Sequence, residues 1–172
     1  MILIKVFNFL ERLSNIAYYL GRWILILTML FIFLGVFVQV FFRYVLNQPL
    51  LAPAELTAWS LVWIGYFGAS VVLRHEEHIS VQMLISKLGG KSRFWFKLLV
   101  KFILLFFVLF FIIYGLKMAL TSTAFSWAVN IRVMWAMLGI PLAGSFMLVH
   151  MLYLILKDIT EKSSFIKLRC GR

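Results

Sequence analysis

WILILTMLFIFLGVFVQVFF, residues 23–42, runs for 20 positions without a charged side chain. A helix rises ~1.5 Å per residue and needs about 20 residues to cross ~30 Å of hydrocarbon, so this stretch is long enough to span a bilayer. Residues 56–73 and 133–156 are also free of charge, over 18 and 24 positions. A fourth run, FILLFFVLFFIIYGL at 102–116, lies between Lys101 and Lys117. Lysine stems can snorkel to the interface, which predicts a helix over about 98–120. None of these stretches alternates apolar and polar residues as barrel strands do. The rest of the chain agrees with a membrane solvent. Of 172 residues, 64% are hydrophobic and 13% charged, against about 45–50% and about 25% in soluble domains.

The basic residues report orientation. Lys5, Arg12 and Arg22 precede the first span, and Arg43 follows it. Arg74, Lys87, Lys91, Arg93, Lys97 and Lys101 lie between the second and third, and Lys117 and Arg132 between the third and fourth. Lys157, Lys162, Lys167, Arg169 and Arg172 end the chain. Fourteen therefore fall on one side and three on the other, and the positive-inside rule places both termini in the cytoplasm. The net charge of +11 thus reads as topology rather than as a nucleic-acid surface. Trp23, Trp59, Trp95, Trp127 and Trp135 sit near predicted span boundaries, as an aromatic belt requires.

The expected fold is an all-α integral membrane domain over 1–172. Its parts are an N-terminal amphipathic interfacial helix at 1–22, transmembrane helices at 23–42, 56–73, 98–120 and 133–156, and a cytoplasmic tail at 157–172. Lys5, Asn8, Arg12, Asn15 and Arg22 form a polar stripe beside Ile4, Phe7, Leu10 and Leu13. A second, short cytoplasmic interfacial helix is predicted where Val81, Leu84, Ile85 and Leu88 share a face ahead of Gly89-Gly90. The first 22 residues lack the pattern of a cleavable signal. Pro141, between Gly139 and Gly144, predicts a kink in the fourth span.

Little in the chain points to catalysis. The centres of the spans carry no Asp, Glu, Lys or Arg, the usual marks of proton and ion pathways. His150 is the one histidine within a span, whereas a bis-histidine haem needs two that face each other. Cys170 is the single cysteine, so no intrachain disulfide or thiolate cluster can form. No enzyme activity, cofactor or metal is expected. A membrane anchor of a redox enzyme and a stand-alone small transporter are the alternative readings.

Several residues still need a role. Arg43 and Glu55 bracket the first hairpin; they read either as a solvated pair closing it or as contacts to another subunit. Arg74 opens a charged cluster through His78, which reads as an interface anchor, with a His-x-x-His metal site as the weaker option. Gly65, Gly68 and Ala69 offer close helix approach, within this chain or to a partner, with Trp59 and Trp63 one turn apart nearby.

Phe42-Arg43-Tyr44-Val45, Glu55-Leu56, Trp63 with Gly68-Ala69, Arg74, His78-Ile79-x-Val81 and Gly139-Ile140-Pro141, in this order and spacing, resemble the small, DctQ-like membrane subunit of TRAP (tripartite ATP-independent periplasmic) transporters. The resemblance covers roughly 23–156. Two positions depart from it: family members often pair acidic residues where this chain has Ala54-Glu55, and often place Asp where it has Gln82.

The resemblance implies a scaffold in a bacterial inner membrane. It would hold a large, DctM-like membrane subunit, which carries out sodium-coupled uptake of an organic acid delivered by a periplasmic, DctP-like binding protein. Sialic acid and C4-dicarboxylates are the substrate types implied. On this reading Arg43, Glu55, Lys117 and Arg132 contact a subunit or the binding protein. Trp59, Trp63, Gly65, Gly68, Ala69, Arg74, His78 and Pro141 serve helix packing.

Overall fold

The computed structural model describes residues 2–74 and 90–170, with side chains over 5–74 and 95–160. The second interfacial helix expected at 81–88, together with His78, lies outside them. The described helices are α1 (Ile2–Tyr44), α2 (Leu51–Arg74), α3 (Gly90–Thr121), α4 (Met134–Met137) and α5 (Gly139–Cys170). Among the described residues, four stretches are long and apolar enough to cross a membrane: within α1, within α2, within α3, and 134–160 across α4 and α5.

The predicted boundary at 22/23 is absent, because α1 is one unbroken helix of 43 residues. No proline interrupts it, and one packed face runs through it at seven-residue steps: Phe7, Ser14, Gly21, Thr28, Gly35 and Phe42 are all buried or half-buried. That face continues straight across the expected junction. At the far end Asn47 takes a left-handed φ of 52°. The Gln48 amide bonds back to the Phe42 carbonyl at 3.1 Å, which ends the helix. Pro53 lies in the first turn of α2, where a missing N–H costs no helical bond.

In the fourth span the helical hydrogen-bond ladder is interrupted for one residue at Leu138, between α4 and α5. Leu138 keeps helical angles of φ −61° and ψ −22°, and its carbonyl still accepts from the Leu142 amide at 3.2 Å. In a continuous helix the amide of residue 141 would bond the carbonyl of Met137, and proline has no amide to give. Pro141 therefore falls in the first turn of α5. Beyond residue 156, where a tail was expected, α5 continues to Cys170.

α5 is the hub. It packs against α1, α2 and α3, α1 packs along α2, and α3 reaches the bundle chiefly through α5. Leu73, Val108, Met147 and Met151 form the buried apolar core at this junction. Two glycines set the spacing. A Cβ on Gly115 would stand 2.8 Å from Ile140, and one on Gly139 2.9 Å from the Trp63 ring. Most large apolar side chains of α1 and α3 point outward instead, Phe33 and Phe106 among them.

Candidate functional site

Polar contacts gather at the two ends of the bundle. At the loop end, residues 122–133 connect α3 to α4 as a closed turn. Ser126 and Val133 amides bond the Ile131 and Ala124 carbonyls at 2.8 and 3.0 Å, and Asn130 supplies a left-handed φ of 56°. Glu55, in the second turn of α2, grips this loop. Its Oε2 accepts from the Ser126 hydroxyl at 2.6 Å and from the Ala128 amide at 3.1 Å. Ser126 Oγ in turn accepts from the Val129 amide at 2.9 Å. A carboxylate bound to a buried hydroxyl and an amide makes strong, charge-assisted bonds. Two residues further along α2, Gln39 donates to Thr57 Oγ1 at 3.1 Å, tying α1 to α2. Further in, the Trp63 indole donates to the Ala136 carbonyl at 3.2 Å, two residues before Leu138.

At the terminal end, Ser14 Oγ and His150 Nδ1 share a hydrogen bond of 2.8 Å, and both residues are fully buried. Arg74 donates to Asn15 Oδ1 at 2.6 Å, and its guanidinium stands 4.4 Å from the Tyr153 ring centroid. Phe7 packs against the same ring at 5.7 Å. Lys101 Nζ bonds Asp158 Oδ2 at 2.7 Å and the Leu154 carbonyl at 3.2 Å. Their side chains are 10% and 12% exposed, so Lys101 does not snorkel to water as its sequence position suggested. A buried carboxylate and a chain carbonyl hold its ammonium inside the bundle. Two polar clasps thus flank the apolar stretch of α3: Lys101 to α5 on one side, and Glu55 on the loop that follows α3 on the other.

The residues singled out by sequence fall into three groups. Glu55, Trp63, Arg74 and Pro141 hold the bundle together from within. Arg43, Lys117 and Arg132 are exposed. The Arg43 and Arg132 guanidiniums lie 5.6 and 5.7 Å from the Tyr44 and Phe125 rings, so Arg43 does not close the hairpin onto Glu55. The small-residue patch divides. Gly68 faces Leu25 at 4.0 Å, whereas Gly65 meets nothing within 4 Å and Ala69 is exposed. Ala54 and Ala58 are exposed as well, and their spacing puts them on the same outward face of α2 as Gly65 and Ala69. Trp59 and Trp135 line an open groove of about 660 Å³ between α1, α2 and α4. The sequence reading missed Ser14, Asn15, Lys101 and Asp158 as partners. The seven-residue spacing from Phe7 through Ser14 to Gly21 was the one available signal.

A family model for the DctQ component of tripartite ATP-independent periplasmic transporters matches residues 32–161. The chain belongs to that family. A Haemophilus influenzae protein described as a TRAP transporter small permease protein is 30% identical over 53 residues, 31% of this chain. The matched stretch spans 33% of that relative's length. The DctQ match takes in the loop clasp and the Lys101–Asp158 pair. It starts after Ser14 and Asn15, so the part of α1 that binds His150 and Arg74 lies ahead of it.

Proposed function

We propose that this chain is the non-catalytic small membrane subunit of a TRAP transporter, holding a large transport subunit in a bacterial inner membrane. The complex would take up an organic acid of the sialic acid or C4-dicarboxylate type, with sodium coupling and a periplasmic binding protein. The observation that carries this reading is the DctQ match over 32–161. The outward face of α2 gives it a physical form. Ala54, Ala58, Gly65 and Ala69 line that face. In lipid, small residues favour helix association because they let backbones approach closely. A helix of the large subunit is the proposed occupant.

The distribution of basic residues supports cytoplasmic termini. At 43 residues, α1 is about 64 Å long, roughly twice the hydrocarbon thickness, so its N-terminal half runs beyond the membrane core. There Phe9, Ile16 and Leu20 are exposed next to Lys5 and Arg12. These suit the cytoplasmic headgroup region in the way an interfacial helix would. Arg43, Lys117 and Arg132, with the loop that Glu55 holds, would form the opposite surface, towards the binding protein.

Affinity purification of the tagged chain in mild detergent tests the reading, with a many-helix membrane protein expected at a one-to-one ratio. Gly65→Leu sharpens the test. The position is open, and replacing a helical glycine does not weaken the helix, so the chain should stay folded while co-purification falls. A chain that purifies alone and transports by itself in vesicles would overturn the proposal.

A further inference from the structure

The groove between α1, α2 and α4 has a shape and chemistry that the scaffold reading does not use. Its volume is about 660 Å³, and its walls include Leu27 and Phe31 of α1, Trp59 and Trp63 of α2, and Trp135 of α4. The two hydroxyls in the wall are turned back on their own helices: Thr28 bonds the Ile24 carbonyl at 2.6 Å and Ser60 the Leu56 carbonyl at 2.9 Å. An entering molecule therefore meets an apolar surface. The groove exists because α4 touches α2 and α3 but not α1 among the described residues, which leaves a cleft between α4 and α1.

We propose that this groove binds one glycerophospholipid from the leaflet on the loop side, with an acyl chain along Leu27 and Phe31 and the phosphate at Arg132. Depth is the first argument. Leu27 lies sixteen residues before Arg43, about 24 Å along the helix. One leaflet with its headgroups is about 20–22 Å deep. Polar chemistry at the mouth is the second. The Trp63 indole N–H is taken by Ala136, while those of Trp59 and Trp135 have no partner among the described residues and suit the ester carbonyls of a lipid. Charge is the third. Arg132 follows Ile131, which lines the groove; it is exposed, rests over the Phe125 ring, and has no carboxylate partner among the described residues. A guanidinium matches a phosphate in charge and in hydrogen-bond geometry.

A partner helix fits less well. A helix about 10 Å across and 24 Å long fills about 1,900 Å³, three times the space present. The small-residue face of α2 that suits a helix lies on the other side. At 3.6 residues per turn, 56, 59, 60 and 63 fall about 180° from 54, 58, 65 and 69. The lipid and the proposed large subunit therefore do not compete.

Native mass spectrometry tests this on the full chain in nanodiscs of phosphatidylethanolamine and phosphatidylglycerol, followed by detergent release. One retained phospholipid is expected per chain. Thr28→Trp fills the groove and should abolish retention, while Arg132→Gln should weaken it about tenfold. Circular dichroism confirms that each variant is folded; the exposed Arg132→Gln keeps the test decisive if Thr28→Trp is not. A phosphatidylglycerol with a photoreactive acyl chain should label Leu27, Phe31 and Trp135 in preference to Leu61 and Val62 on the opposite face of α2. Equal labelling of the two faces, or unchanged retention in folded variants, would overturn the inference. Cross-linking of a partner protein to Leu27 and Phe31 with loss of the lipid would overturn it too. Because the readout needs only this chain, loss of the TRAP assignment would leave the result intact.

Discussion

α3 and α5 are each 32 residues long, and they are built in opposite ways. The more hydrophobic of the two is α3, yet only 11% of its most apolar stretch is buried in the bundle, against 50% for the span that runs through α4 into α5. A water-soluble protein would reverse this. In lipid, tails solvate phenylalanine as well as a neighbouring helix does, so hydrophobicity does not select the centre. Close packing and hydrogen bonds select it instead. The helix at the hub therefore carries Gly139, Ala143, Gly144 and His150, while the phenylalanines of α3 look outward.

The most forceful way to break this contrast is to cut the charged link between the two helices. Lys101→Met leaves Asp158 buried without its cation and should cost about 3–5 kcal/mol. Thermal melting in detergent would register this, and adding Asp158→Leu should recover much of the loss. Next comes Gly139→Leu, which drives a side chain into Trp63 where α5 begins; about 1–3 kcal/mol is expected in the same melt. An effect of the same order, but local to one loop, is expected at the other clasp. Glu55→Ala leaves the Ser126 hydroxyl and the Ala128 amide without their acceptor, worth about 1–3 kcal/mol at most. Hydrogen exchange should then speed up at Ala128 and Val129 while the α5 amides hold. Phe106→Ala, at the outward face of α3, should change the melting free energy by less than about 0.5 kcal/mol. A large loss there would mean that α3 is packed against something other than lipid in the purified chain.

The sequence was informative where the physics is local. Uncharged runs of membrane length need no knowledge of neighbours, and all four spans could be read from them. Helix ends were less legible. The stripe Lys5, Asn8, Arg12 and Asn15 looked like one face of a separate interfacial helix, but Asn15 turns inward to Arg74. Pro141 announced a disturbance without revealing its form, a one-residue gap in the helical ladder at Leu138. The clasps were hidden for a different reason. Glu55 and Ser126 are 71 positions apart, Lys101 and Asp158 57, and Ser14 and His150 136. Periodicity within one helix says nothing about pairings at such distances. Arg43 and Glu55 are neighbours in the first hairpin, and the natural pairing between them gave way to a loop arriving from the far side of the bundle.

The double tie between α1 and α2 has a consequence for the bilayer itself. Asn15 is fixed to Arg74, and Gln39 is fixed to Thr57. The two α1 positions are 24 residues apart, a baseline of about 36 Å. Sliding one helix past the other by a single turn, 5.4 Å, would break both ties at once. The pair therefore cannot shorten or lengthen by shear; it tilts as one body or stays put. Where the surrounding bilayer is too thin or too thick, the adjustment falls on the lipid, which must stretch or compress to meet a gauge of fixed height.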